Sequence, residues 1–371
     1  MSYKTLCTRD TGYHADTVEW CPIEGFEEFL VCGTYQLIEK GGQKQVAHLG
    51  EDNVSQFGRR VGDIQLYQLE QLKSLTKQGS YCQGAGILDT KWYRVPVNNK
   101  AVLGAVSAEA ELKILTLSRD EGVGIEEYSS TVGQDKICLS LDWSHSQSTL
   151  TCVVSDSKGE LTLLQCSEGS WETRQISQWA AHGYEAWIAA FDRWSHNVVY
   201  SGGDDCLLRG WDTRTNCTNP IFTSKRHEMG VSSIQCNPVH EHIMATGSYD
   251  EKILVWDTRN RRTPLTSASP GGGVWRIKWH PVTGNHMLTA SMYSGYHILK
   301  FINCQGSCSL KKTTSYTENA VLAYGADWCY KNLANKAACR GNNDDTNTSR
   351  EFIIATCSFY DHILHLWEVC I

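Results

Sequence analysis

Two carboxylates, Glu185 and Asp204, and one guanidinium, Arg276, stand close in sequence to aromatic residues. Trp187 lies two places past Glu185 and Trp275 precedes Arg276, while Tyr249, Tyr324 and Tyr360 take matching places in other repeats. A carboxylate so placed can take a proton from water. A guanidinium, or backbone amides such as those of Gly271, Gly272 and Gly273, can steady a developing oxyanion. Aromatic faces beside acids suit a small cation or a peptide. The chain offers no GxSxG elbow, no HExxH and no Cys-X-X-Cys, and the His-Glu-His at 240–242 reads as part of a solvated turn. Base-activated water is therefore the default for any hydrolysis, with Glu185 or Asp204 as the base.

The elements that must position these residues are legible as a repeat. His182, Asp205 and Trp211 recur 45 places on as His227, Asp250 and Trp256, a period and a Trp-Asp ending that mark one propeller blade per repeat. A bulky residue closes the first strand of each unit: Trp20, Trp92, Trp143, Phe191, Cys236, Trp279 and Trp328. Short alternating apolar runs separated by turn residues follow each one, with no helical period. The expectation is an all-β, seven-bladed propeller forming one domain over 1–371. The blades fall near 15–70, 82–118, 134–167, 181–213, 226–258, 270–303 and 320–371, and residues 3–10 supply the last outer strand and so close the ring.

Counting from the closing residues turns the repeat into rings. Four places back lie Asp16, Leu88, Leu139, Trp187, Ser232, Trp275 and Tyr324, which should share the upper rim. The residues just before each turn Asp add Asp204, Tyr249 and Tyr360 to that rim, between blades 4 and 7. One place back lie Glu19, Lys91, Asp142, Ala190, Gln235, Lys278 and Asp327. Unpaired charge is costly when partly buried, so these should pair across blade boundaries and serve the architecture.

Composition narrows the setting. A net charge of -7 and the lack of a basic run disfavour a nucleic-acid partner. No apolar stretch suggests a leader or a membrane helix, so a cytoplasmic protein is expected. A monomer is expected too; no residue set points to a cofactor, and whether a metal assists stays open. The 16 cysteines, among them Cys32, Cys138, Cys152, Cys236 and Cys357, fall at apolar strand positions and read as buried reduced thiols. Two polar insertions, 39–61 in blade 1 and 331–350 in blade 7, read as loops.

The spacing of His182, Ser201, Asp205 and Trp211, and of His227, Thr246, Asp250 and Trp256, resembles the WD-repeat tetrad. Blade 7 keeps Thr356, Asp361 and Trp367, with Asn319 where the His would stand. The strings YSGGDDCLLRGWDTR, ATGSYDEKILVWDTRN, GGGVWRIKWHP and ATCSFYDHILHLWE, together with DTVEWCP and LSLDWS near the N-terminus, resemble the diphthine methylesterase family of WD-repeat proteins. That resemblance implies hydrolysis of the methyl ester of diphthine, the modified histidine of elongation factor 2, with methanol released and a carboxylate left for amidation. Such a substrate carries a fixed trimethylammonium group, for which Trp187, Tyr249, Trp275, Tyr324 and Tyr360 would be the cage. A non-catalytic scaffold is the alternative, since many propellers only bind.

Overall fold

The computed structural model describes residues 3–38, 59–119, 123–146, 149–304, 307–318, 321–331 and 351–371. Seven four-stranded antiparallel sheets follow one another around a central channel, and the described residues contain no helix. The innermost strands are Ala15–Trp20, Ile87–Trp92, Cys138–Trp143, Ile188–Phe191, Val231–Cys236, Arg276–Trp279 and Ala323–Trp328. In blade 7 the outer place is taken by Tyr3–Asp10, which pairs antiparallel with Ile363–Cys370. The first and last strands of the described chain thus share one sheet, as the repeat pattern implied.

The outer strands of blades 1 to 6, such as Gly124–Thr131 and Thr173–Ala180, lie beyond the stretches marked out by the sequence pattern. They are largely exposed and carry no apolar alternation, so hydrophobic period is silent about them. At the foot of the first insertion Gln36–Ile38 pairs with Arg59–Val61. Most of both insertions, and Asn319, lie outside the described residues.

The closing tryptophans bind blade to blade. The indole Nε1 of Trp92, Trp143, Trp279 and Trp328 donates to the backbone carbonyl of Glu19, Lys91, Gln235 and Lys278, each one residue before the closing residue of the preceding blade, at 2.9–3.2 Å. Phe191 cannot make this bond. There the backbone amide of Phe191 donates to the Asp142 carboxylate at 2.8 Å, and the amide of Trp20 donates likewise to Asp327. A buried hydrogen bond contributes about 1 kcal/mol net, but leaving either partner unmet costs more, so the latches fix blade register.

Two complete tetrads brace blades 4 and 5. His182 bridges Asp205 and Ser201, both at 2.8 Å, and Trp211 donates to Ser201 at 2.9 Å. His227 bridges Asp250 at 3.0 Å and Thr246 at 2.8 Å, with Trp256 donating to Thr246. In blade 7 only the Trp367–Thr356 bond, at 3.2 Å, is found among the described residues. The described cysteines are free thiols; Cys32, Cys138, Cys152 and Cys357 are buried, whereas Cys236 is partly exposed.

Candidate functional site: the upper mouth of the channel

The upper mouth lies where innermost strands begin and second strands end. Trp187 and Trp275 immediately precede the innermost strands of blades 4 and 6, and Tyr324 sits near the start of that of blade 7. Their rings meet as counted from the repeat. Trp187, Tyr249 and Trp275 form a triangle with ring centroids 5.9–6.1 Å apart. Trp275 stacks on Tyr324 at 4.5 Å. Gly230 leaves room for Tyr249 in the mouth, since a Cβ there would come within 3.0 Å of its ring, and a Cβ on Gly273 would meet the Met292 sulfur at 2.8 Å. The glycine turn therefore serves close packing at Gly273, and Gly271 takes a φ of 103° that favours glycine.

Tyr360 does not touch this triangle directly. It is 55% exposed and joins through Phe359, whose ring lies 4.9 Å from Tyr324 and 5.2 Å from Tyr360. Tyr35 and His14 pack on the same Phe359, and His14 hydrogen-bonds His362 at 2.8 Å. The result is an arc of aromatic faces across blades 4 to 7.

Acids gather beside the arc. Asp204 is exposed and accepts from the Trp187 indole at 3.0 Å. The backbone amide of Asp204 donates to the carbonyl of Glu185 at 2.9 Å, which ties together the two segments of blade 4 that carry these acids. Burial pushes the Tyr249 phenol above its ordinary range, and the charges of Asp204, Asp16 and Glu185 add to the effect.

The residue that sequence reasoning passed over is Asp16. It is 1% exposed, and neither carboxylate oxygen has a hydrogen-bond partner among the described residues. Burial drives its carboxyl well above the carboxylate range; Arg276 draws it back and Asp89 pushes it further up. Its charge also raises the phenols of Tyr35 and Tyr324, so it lies within electrostatic reach of the aromatic arc. The Trp275 Nε1 is likewise buried without a partner. Asp16 was in the rim ring as its one acid; that was the available signal.

Arg276 is not free at the mouth, where oxyanion stabilisation would require it. It is 7% exposed and pairs with Asp89 of blade 2 at 3.2 Å. Alternate strand residues share a face, so Arg276 points into the channel with Lys278 two places on. Blades 6 and 2 are not neighbours, and the pair spans the bore. One layer lower, Lys278 bonds Glu19 and pairs with Asp327 at 3.5 Å, while Lys91 bonds both Glu19 and Asp89 at 2.9 Å. Lys91 has its partners there rather than in Asp142. The opposing lysines bring the Glu19 carboxyl down to about 2 against the upward pull of burial. These pairs fill the middle of the channel with compensated charge.

Seven blades, two full tetrads and a mouth of this kind define a WD-repeat β-propeller, and residues 218–257 match the family model described as "WD domain, G-beta repeat". A chain from a crystal structure of a mitotic checkpoint complex shares the fold at a TM-score of 0.67, covering 98% of this chain and 91% of that one at 14% identity. Diphthine methyltransferase of Homo sapiens is 37% identical over 451 residues, spanning 99% of both chains. The Mus musculus protein of that name is 44% identical over 88% of this chain and 70% of its own length, and a Dictyostelium discoideum homolog is 34% identical over 97% and 98%. The chain belongs to the diphthine methyltransferase family. The name of these relatives speaks of methyl transfer, where the sequence strings had suggested a methylesterase.

Proposed function

We propose that this protein acts in diphthamide biosynthesis by hydrolysing the methyl ester of diphthine on elongation factor 2. The observation that supports this reading best is the aromatic arc of Trp187, Tyr249, Trp275 and Tyr324 with the buried carboxyl of Asp16 near it. The substrate presents a quaternary ammonium near its ester. Aromatic faces contribute about 0.5–2 kcal/mol each to holding such a cation, more when water is excluded. A carboxyl without hydrogen bonds is an unfavourable thing to bury unless a cation arrives to meet it.

With the cation so held, Glu185 or Asp204 beside the arc takes a proton from water. The water oxygen bonds to the ester carbonyl carbon, and the methoxy group leaves with that proton as methanol. Asp16 serves the cation. Arg276, engaged by Asp89, fixes the electrostatic floor of the site. The partner is elongation factor 2, the setting the cytoplasm, and the protein works as a monomer.

The relatives' name supports a second reading, transfer of a methyl group, and the fold a third, binding without chemistry. Incubating the purified protein with elongation factor 2 that carries methylated diphthine separates all three. Loss of one methyl with release of methanol is the expected result, and solvent ¹⁸O should enter the product carboxylate. Methyl gain that depends on an added donor would replace hydrolysis with transfer, and stable binding with no mass change would leave a scaffold.

A further inference from the structure

The lower end of the channel holds a cavity of about 370 Å³ that the upper site does not use. The residues two places past the closing residues are Pro22, Arg94, His145, Arg193, Pro238, Pro281 and Tyr330, and all seven line this cavity. The ring is lopsided. Blades 2, 3 and 4 carry Arg, His and Arg in succession, while blades 1, 5 and 6 carry prolines.

We propose that this lower mouth is a binding site for a compact oxyanion, a phosphate or carboxylate group, gripped between Arg94 and Arg193 with His145 between them. Arg94 and Arg193 converge on this cavity. Among the described residues neither arginine enters an ion pair, and Arg193 Nη1 is buried with no hydrogen-bond partner. Burial, and then the charge of Arg94, brings the Arg193 guanidinium down to about 10. Burial, with Arg94, Arg193 and His196 behind it, holds His145 down to about 3. Three acids also line the cavity, but Glu19 and Asp327 are held by Lys278, and the Asp142 carboxylate already accepts the Phe191 amide, with burial pushing it up to about 6. An incoming anion would relieve this repulsion and satisfy the unmet guanidinium hydrogen. Arginine forks match the geometry of both phosphate and carboxylate. The Arg276–Asp89 and Lys278–Glu19 pairs close the cavity above, which limits the ligand to a small group.

Calorimetric titration of the full chain, in chloride-free buffer, with inorganic phosphate and separately with acetate tests the site. Saturable binding of one equivalent is expected, and the tighter of the two ions tells which oxyanion fits. Arg94→Gln and Arg193→Gln should each weaken it about tenfold or more, while Arg94→Lys keeps some of it. Methyl release at the upper mouth should be unchanged in all three. On the wild-type protein the His145 ring signals should shift as phosphate is added, a readout that needs no variant. Absence of saturable heat with both ions, equal binding in the Arg94→Gln/Arg193→Gln double variant, or unmoved His145 signals would each overturn the proposal.

Discussion

Replacing Asp16 by Asn keeps the shape of the side chain and removes its ability to carry charge. Asp16 is buried without hydrogen bonds, so it holds its proton far above the ordinary carboxylate range. Were a quaternary ammonium held about 5 Å from its ionised carboxyl, the attraction between the unit charges would be about 3 kcal/mol at an effective dielectric near 20. Giving up the proton takes back some of this. About 1–2 kcal/mol should remain, which is about a 5- to 30-fold loss of affinity in Asp16→Asn. The probe is a trimethylammonium peptide without an ester, titrated by calorimetry in buffers of different ionisation enthalpy. Wild-type binding should release a proton and tighten as pH rises, whereas the variant should show neither effect. Folding gives an independent control. The folded state keeps the proton that the unfolded chain loses, so Asp16 costs stability as pH rises above the ordinary carboxylate range. Asp16→Asn should therefore raise the melting temperature at pH 8 more than at pH 4. Equal affinity with an unchanged pH profile in a variant that gains this stability would refute the role of Asp16.

Glu185→Gln or Asp204→Asn should lower turnover by about a hundredfold with probe binding retained, and near-normal rates in both would exclude these bases. Trp275→Ala, which removes the ring shared by the triangle and the Tyr324 stack, should weaken the trimethylammonium probe by about 2- to 30-fold; unchanged affinity would leave the arc a packing feature. His182→Ala breaks two 2.8 Å hydrogen bonds in a buried tetrad, so chemical denaturation should show a loss of about 1–3 kcal/mol. Turnover per folded molecule should hold, and lost turnover at full stability would make His182 catalytic.

The fold was legible because its signals are local and repeated. The closing residues, five of them tryptophans, mark each innermost strand, and counting four places back from them found Trp187, Trp275 and Tyr324, which the structure brings to one mouth. Outer strands were less legible because half-exposed polar strands need no apolar period. Asp16 was missed for a different reason. Its importance lies in what surrounds it, and spacing does not show that Tyr35, Tyr249 and Tyr324 stand near one carboxyl. For Arg276, adjacency to Trp275 suggested the mouth, but neighbouring strand residues face opposite ways and Arg276 follows Lys278 into the bore. The partner that holds it there, Asp89, is 187 places away in sequence and four blades off in chain order.

The same cross-bore pairs decide how the two mouths relate. Arg276–Asp89 and Lys278–Glu19 join blades that are not neighbours, so a ligand passing from one mouth to the other would have to break open both layers of ion pairs. Asp89 and Glu19 share Lys91, and Lys278 also meets Asp327, so these charges are held as a network whose members are costly to leave unpaired. The proposed reaction at the upper mouth therefore needs no route through the bore. Any influence of an anion below on chemistry above would have to travel through this charged floor, by way of Arg276 and the carboxyl of Asp16 that it faces. Substitutions in the floor should consequently change stability first, while those in the arc and at Glu185 and Asp204 should change affinity and rate.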